Sequence, residues 1–249
     1  MRERRFLVPE LQSEPEPEIR GPEAHHLLHV LRLKAGDEVV LFDGAGHAFR
    51  ARLTRVDRRR ARAERLEPLP GRESPLQLQL AVALPKGDGF SLIVQKATEL
   101  GARSLIPLLT ARTTPANRRA LKSRLPRWRR IAVEASKQCG RSVVPAVSDP
   151  LRLDELLRRD GPSVRLLLDP EGESLPPFPA PPGACLLAIG PEGGFSPVEL
   201  EAARACGFHR WRIGPRTLRI ETAAIAATAL LQSAWGDAGS PLQAPGEHP

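Results

Sequence analysis

The pattern of apolar and polar positions divides the chain in two. Over residues 5–66, short apolar runs alternate with turn-forming residues, which predicts strands with one short helix. Arg5-Phe6-Leu7-Val8 reads as a strand, broken off by Pro9 and the Glu/Pro stretch 14–18. Residues 23–33 read as a helix with Leu27, Leu28 and Leu31 on one face. Glu38–Phe42, His47–Val56 and Arg60–Leu66 read as further strands, joined by turns at Lys34–Asp37 and Asp43–Gly46. Short strands closed by turns predict a small β-barrel. Pro68, Pro70, Gly71 and Pro75 read as a linker, with the boundary near residue 72.

Beyond that linker, strands and helices alternate. Leu76–Leu84 and Ser104–Leu109 read as strands flanking a helix that carries Phe90, Ile93, Val94, Ala97 and Leu100 and ends at Gly101. Trp128, Ile131, Ala132 and Ala135 share one helical face. Asp149 with Pro150 predicts a helix start, and Gly161 its end. Val164–Leu168 and Ala184–Ile189 are apolar runs of the buried-strand kind, separated by a Pro-rich loop over 170–183. Ser196-Pro197-Val198-Glu199 is a capping box, His209–Ile213 a last strand, and residues 221–235 a helix apolar nearly all round. The second domain, residues 73–236, is therefore α/β with a mostly parallel sheet, followed by a loose tail over 237–249.

Composition narrows the function classes. The 249 residues are 41% hydrophobic, enough for a packed core. No run of 18 apolar residues occurs, so neither a membrane span nor export is expected, and the three cysteines, odd and far apart, suit a reducing cytosol. His25 and His29 share a helical face without a third ligand, so no metal is expected. Cys139 reads as a packing residue and Trp128 as core, whereas Trp211 is open to stacking on a base. The net charge of +8 is unevenly spread. Residues 50–65 hold eight Arg against two acids, and residues 112–141 hold ten Lys or Arg against one. From 165 onward the balance is negative. Two such segments predict a polyanion binder, with Arg5, Arg50, Arg52, Arg55, Arg58, Arg59, Arg60, Arg112, Arg118 and Arg119 as the candidate RNA contacts.

Ligands of open α/β sheets bind beyond the carboxyl ends of strands. Three such ends lie late in the chain, at Leu168–Gly172, Ile189–Phe195 and Ile213–Ala223. Gly190, Gly193 and Gly194 permit close backbone approach there, but no G-x-G-x-x-G dinucleotide fingerprint occurs. The motifs Ile189-Gly190-Pro191-Glu192-Gly193-Gly194-Phe195 and Leu218-Arg219-Ile220-Glu221-Thr222-Ala223 resemble those of the trefoil-knotted SPOUT methyltransferases. More closely, the chain resembles the bacterial family that methylates N3 of a uridine in 16S ribosomal RNA. Arg4-Arg5-Phe6, His26–Leu33 with Gly36-Asp37, Leu84–Gly87, Lys96–Gly101 and Gln138–Arg141 match its other landmarks in order. Lys137 departs from the pattern, standing where an acidic residue is expected.

That resemblance implies a PUA-like RNA-binding barrel over residues 1–72, then a SPOUT-type knotted domain that forms a homodimer and acts on the small ribosomal subunit in the cytoplasm. It implies S-adenosylmethionine as cofactor, cradled by Leu167, Leu168, Gly190, Gly193, Gly194, Ile213, Leu218 and Thr222. Uracil N3 carries a proton that must leave as N3 attacks the methyl group. Glu192 and Glu221 are the candidate bases, and Arg219, Arg141 and Arg5 the candidate stabilisers of the anion. For Glu221 the competing role is helix capping. The rival functions are another SPOUT activity, on a ribose 2′-hydroxyl or a tRNA base, and RNA binding without catalysis. The intact glycine cradle and the Arg219/Glu221 pair argue against the latter.

Overall fold

A computed structural model of the chain describes residues 3–175 and 180–239, with the main chain alone for residues 115–120 and 122. Most of the expected tail after 236 lies outside the described residues. Contacts divide the chain into two compact units. One holds residues up to 73 together with 130–145, and the other 74–129 with everything from 146. Segment 130–145, which the pattern along the chain assigns to the second domain, thus packs with the first unit.

The first unit contains β1 (Arg5–Leu7), β2 (Glu18–Ile19), α1 (Gly21–His25), β3 (Glu38–Phe42), β4 (Ala48–Val56) and β5 (Ala61–Pro68). They form one half-barrel sheet in the order β1-β3-β4-β5-β2, with only β1 and β3 parallel. Along β4 the alternation places Ala51 and Leu53 in the core and Arg52 and Thr54 outside. Phe6, Leu11, Ile19, Leu27, Leu41 and Leu53 fill that core. The expected helix over 23–33 starts earlier, at Gly21, and becomes a π-helical turn over His26–Val30. Pro22 suits the first turn, and the wider turn buries Leu27 while the Leu33 N–H closes back on the Leu27 carbonyl at 3.1 Å. Val143 bridges to Gly44 and Ala45, which ties segment 130–145 to the sheet.

The second unit carries a parallel sheet. Its strands are β6 (Gln77–Ala83), β7 (Ser104–Leu109), β8 (Ala146–Val147), β9 (Leu151–Arg152), β10 (Val164–Glu173), β11 (Ala184–Ile189) and β12 (His209–Trp211). The order is β12-β10-β11-β6-β7-β8, with β9 also on β7. The helices are α2 (Gly89–Glu99), α3 (Pro115–Cys139), α4 (Leu153–Arg158), α5 (Pro197–Ala205) and α6 (Ile220–Trp235), with α3 running on into the first unit. Leu80, Val82, Leu187 and Ala188 are fully buried, as continuous apolar strands covered on both faces must be. Trp128 is core, its ring 4.4 Å from that of Phe90. Among the described residues, no helix is long and apolar enough to cross a membrane.

Two local expectations are corrected. The helix predicted from Asp149 begins only at Leu153, because Leu151 and Arg152 extend to pair with Leu108 and Leu109. The Glu155 carboxylate then accepts the Arg152 N–H at 2.9 Å and closes the helix start. The loop predicted from residue 170 begins later, since β10 bulges after Leu168 and rejoins β12 at Glu173 opposite Trp211. A β-carbon on Gly172 would lie 2.7 Å from the Arg210 carbonyl oxygen, so the two chains can approach this closely only at a glycine. Gly172→Ala should therefore cost about 1–3 kcal/mol and lower Tm by several degrees. An unchanged melting curve would show that the bulge can move aside.

Candidate active site

Parallel polarity brings the loops after β10, β11 and β12 to one edge of the sheet, where they enclose a cleft of about 110 Å³. Leu168, Ile189, Trp211, Ile213 and Leu218 supply apolar walls, and Ile220 and Ala223 on α6 close the side. Residues 213–218 belong to no helix or strand, whereas the Arg212 N–H still donates to the Glu173 carbonyl at 2.7 Å and the Arg219 carbonyl accepts the Ala223 N–H at 2.8 Å. Charge sits at fixed places. Asp169 lines the cleft but is held by Arg210 at 2.7 Å, while Arg212, Arg216 and Glu192 line it without an ion pair among the described residues. The Lys86 N–H approaches Glu192 Oε1 at 3.5 Å.

The glycine loop is built by packing. A β-carbon on Gly190 would stand 2.9 Å from the ring of Phe195, which is buried in the core beneath the loop. Gly194 has φ +70°, a left-handed value that glycine adopts without penalty, and its N–H closes a turn on the Pro191 carbonyl at 2.8 Å. The capping box read from sequence anchors the next helix. Ser196 Oγ accepts the Glu199 N–H and Glu199 accepts the Ser196 N–H at 2.8 Å. Glu199 also accepts the Ala111 N–H at 2.7 Å, binding the loop after β7 to the same helix. Arg112, an expected RNA contact, is exposed and donates to the Gly193 carbonyl.

Of the residues expected around a cofactor, Leu168, Gly190, Gly194, Ile213 and Leu218 converge on this cleft. Leu167 lies behind it in the core, Gly193 sits under Arg112, and Thr222 is exposed on α6. Glu192 lines the cleft and Glu221 does not. The Glu221 carboxylate lies against Gly89 at the start of α2, so close that a β-carbon there would collide with it. Arg219 is exposed at the N-cap of α6. Trp211, Arg212 and Arg216 were not singled out as cofactor contacts. Trp211 ends the last strand, and Arg212 and Arg216 stand one and five residues beyond it, which was the available signal.

A model of the RNA methyltransferase domain matches residues 72–232, and one of the RNA methyltransferase PUA domain matches residues 19–64. The ribosomal RNA small subunit methyltransferase E of Synechocystis is 36% identical over 92% of this chain and 77% of its own length. That of Bacillus subtilis is 32% identical over 89% and 91%. The chain belongs to the ribosomal RNA small subunit methyltransferase E family. The enzyme of that name from Neisseria gonorrhoeae, solved bound to S-adenosylmethionine, superposes with a TM-score of 0.85 at 34% identity over 94% of this chain and 99% of its own. A putative methyltransferase from Legionella pneumophila, in complex with the same cofactor, gives 0.86 at 34% identity over 95% and 100%.

Within this family's two-part architecture, the remaining expected residues lie in the first unit or on α3. Arg141 is buried and paired with Glu73 at 2.7 Å; Glu73 also accepts the N–H groups of Ser142 and Val143 at 3.0 Å. Arg5 is buried too, donating to the Arg141 carbonyl at 3.1 Å. Arg50, Arg52 and Arg55 form exposed pairs with Glu67, Glu38 and Asp57, and Arg60 lies 3.6 Å from Glu18. Arg58 and Arg59 occupy the β4–β5 turn without an ion pair among the described residues. The side chains of Arg118 and Arg119 lie outside the described residues. Lys137, the departure from the family pattern, bonds Glu23 at 3.0 Å and Glu134 at 3.2 Å. Glu73 escaped the sequence reading because its partners lie about 70 residues away. Glu73→Gln keeps the shape and removes the charge facing buried Arg141, so it should cost about 2 kcal/mol, read as a lower urea midpoint. No change would mean that Arg141 is neutralised by another route.

Proposed function

We propose that the chain transfers the methyl group of S-adenosylmethionine to N3 of a uridine in 16S ribosomal RNA, on the assembled small subunit in the cytoplasm. The observation that carries this reading is the cleft at the ends of β10, β11 and β12 in a chain that aligns over both domains with the methyltransferase E enzymes. The residues fit the cofactor. Apolar walls at Leu168, Ile213 and Leu218 suit an adenine ring, and main chain outside any helix or strand over 213–218 suits its polar edge. The space where a Gly190 side chain would stand is already taken by Phe195, so the loop keeps a bare backbone toward the ligand. When bound, the cofactor supplies an electrophilic methyl group on a sulfonium.

The protein's part is to orient the uracil and manage one proton. Glu192, on the cleft and without a cation partner among the described residues, accepts the N3 proton. Arg219, at the helix N-cap beside the loop, stabilises the charge that develops on the uracil oxygens. Glu221 serves as a positioning residue, its carboxylate set against the start of α2. Arg141 is committed to Glu73, and its role is to hold segment 130–145. The exposed arginines of β4 and its following turn track phosphates. Their present pairs are solvent-exposed, hence weak and easily exchanged.

We further infer a knotted homodimer paired through α2 and α6. Leu92 is 43% exposed and Leu230 47%, on two helices that pack together, and α6 is apolar nearly all round. Leu230→Asp should shift the sedimenting species from dimer to monomer at micromolar concentration. A wild-type monomer would reject the interface.

The reaction is tested with labelled S-adenosylmethionine, unmodified small subunits and naked 16S RNA, followed by nucleoside analysis. Label in 3-methyluridine, with subunits preferred, is the expected outcome. Arg219→Ala and Glu192→Gln should each lower kcat about 100-fold with cofactor affinity retained. Label on a ribose or another base would reassign the reaction, and full activity in either variant would remove that residue's role.

A further inference from the structure

In the first unit, a cavity of about 420 Å³ is bounded by Glu3, Arg4, Arg5, His26, Glu134 and Lys137, a size typical of small-ligand sites. Its cations are unequally satisfied. Lys137 has two carboxylates, Glu23 at 3.0 Å and Glu134 at 3.2 Å. Arg5 does not: its side chain is 4% exposed, and its one carboxylate is Glu3 at 3.5 Å, itself 39% exposed. The face of the Arg5 guanidinium lies over the Phe42 ring at 5.3 Å, and its edge donates to the Arg141 carbonyl and more weakly to Ser142 Oγ. Its Nε, also buried, has no hydrogen-bond partner among the described residues. Arg4, exposed on the same cavity, has no ion pair among them either.

A buried cation with one remote, solvated counter-ion is an unfavourable arrangement unless an anion completes it. Burial lowers the Arg5 pKa, and Glu3 is the main group opposing that shift. Arg4 and Arg5 both border the cavity, and a guanidinium matches the oxygens of a phosphate, which it can engage through paired N–H donors. We infer that this cavity binds one phosphodiester group of the substrate RNA between Arg4 and Arg5, and that the Glu3 carboxylate is the stand-in the phosphate displaces. The inference rests on the RNA substrate proposed above and adds a defined subsite to it, separate from the exposed arginines of β4.

The test uses the full chain. Affinity for the unmodified small subunit and for naked 16S RNA is measured across a salt series for the wild type, Glu3→Gln and Arg4→Ala, with melting temperature and cofactor affinity as controls. Glu3→Gln should bind RNA about three- to tenfold more tightly, since no carboxylate need be displaced. Arg4→Ala should bind about tenfold more weakly, with the slope of log K against log salt reduced by about one. Inorganic phosphate at millimolar concentration should shift the Arg5 Nε–H resonance in the wild type and not in Arg4→Ala. Unchanged affinity and slope in both variants, with wild-type RNA binding intact, would overturn the subsite and leave the RNA reading standing. A phosphate shift without any effect on RNA affinity would also overturn it, identifying an adventitious ion only. Wild-type protein that binds the cofactor but neither the small subunit nor 16S RNA would overturn both.

Discussion

Parallel strand polarity is the constraint on which the site depends. When every strand of a sheet runs the same way, every loop that follows a strand emerges at the same edge. Segments near residues 168, 190 and 212 therefore meet although the chain visits them in succession. The pairing sets how tightly they meet. Gly172 lets β10 bulge against β12, and Gly190 lets the loop after β11 rest on Phe195. Glu199 then ties the start of α5 to the loop after β7. The cleft is thus lined by main chain and apolar side chains held by packing. Such a surface suits a flat, largely apolar ligand with polar edges.

The basic residues divide by burial into two kinds. On β4 and its turn they lie in water, paired with neighbouring carboxylates or unpaired. Each pair there contributes little and is easily exchanged. In the first unit's interior, Arg141 and Arg5 are desolvated, so the identity of each counter-ion matters more. Glu73 answers Arg141 fully through a salt bridge while also holding two main-chain N–H groups, and Glu3 answers Arg5 only at a distance. The same residue type thus forms weak surface pairs in one place and, in another, a desolvated cation that depends on its counter-ion.

Much of the fold was legible because its signals are local. Ser196 and Glu199 are three residues apart and form the box that their spacing predicts. Apolar runs at 184–189 and the helical spacing over 90–100 carry their own burial pattern. Where local and long-range preferences competed, the long-range pairing won. Asp149-Pro150 reads as a helix start, yet Leu151 and Arg152 gain more from joining β7. Residues 170–173 read as loop, yet strand pairing resumes at Glu173. Arg112 reads as a phosphate contact; the structure adds that its exposed side chain reaches the Gly193 carbonyl, 81 residues on.

By itself the sequence determined the order of strands and helices, the two-part layout, the family and the three loops that carry its motifs. Each of these is written in neighbouring residues, through periodicity, capping and turn chemistry. Packing in three dimensions sets segment 130–145 with the half-barrel, turns Glu192 to the cleft and Glu221 to α2, and leaves Arg5 with Glu3 at 3.5 Å as its ion-pair partner among the described residues. Those facts depend on distances between residues far apart in the chain. Burial and charge balance at a point in space are sums over everything packed around it, and no window of sequence contains that sum.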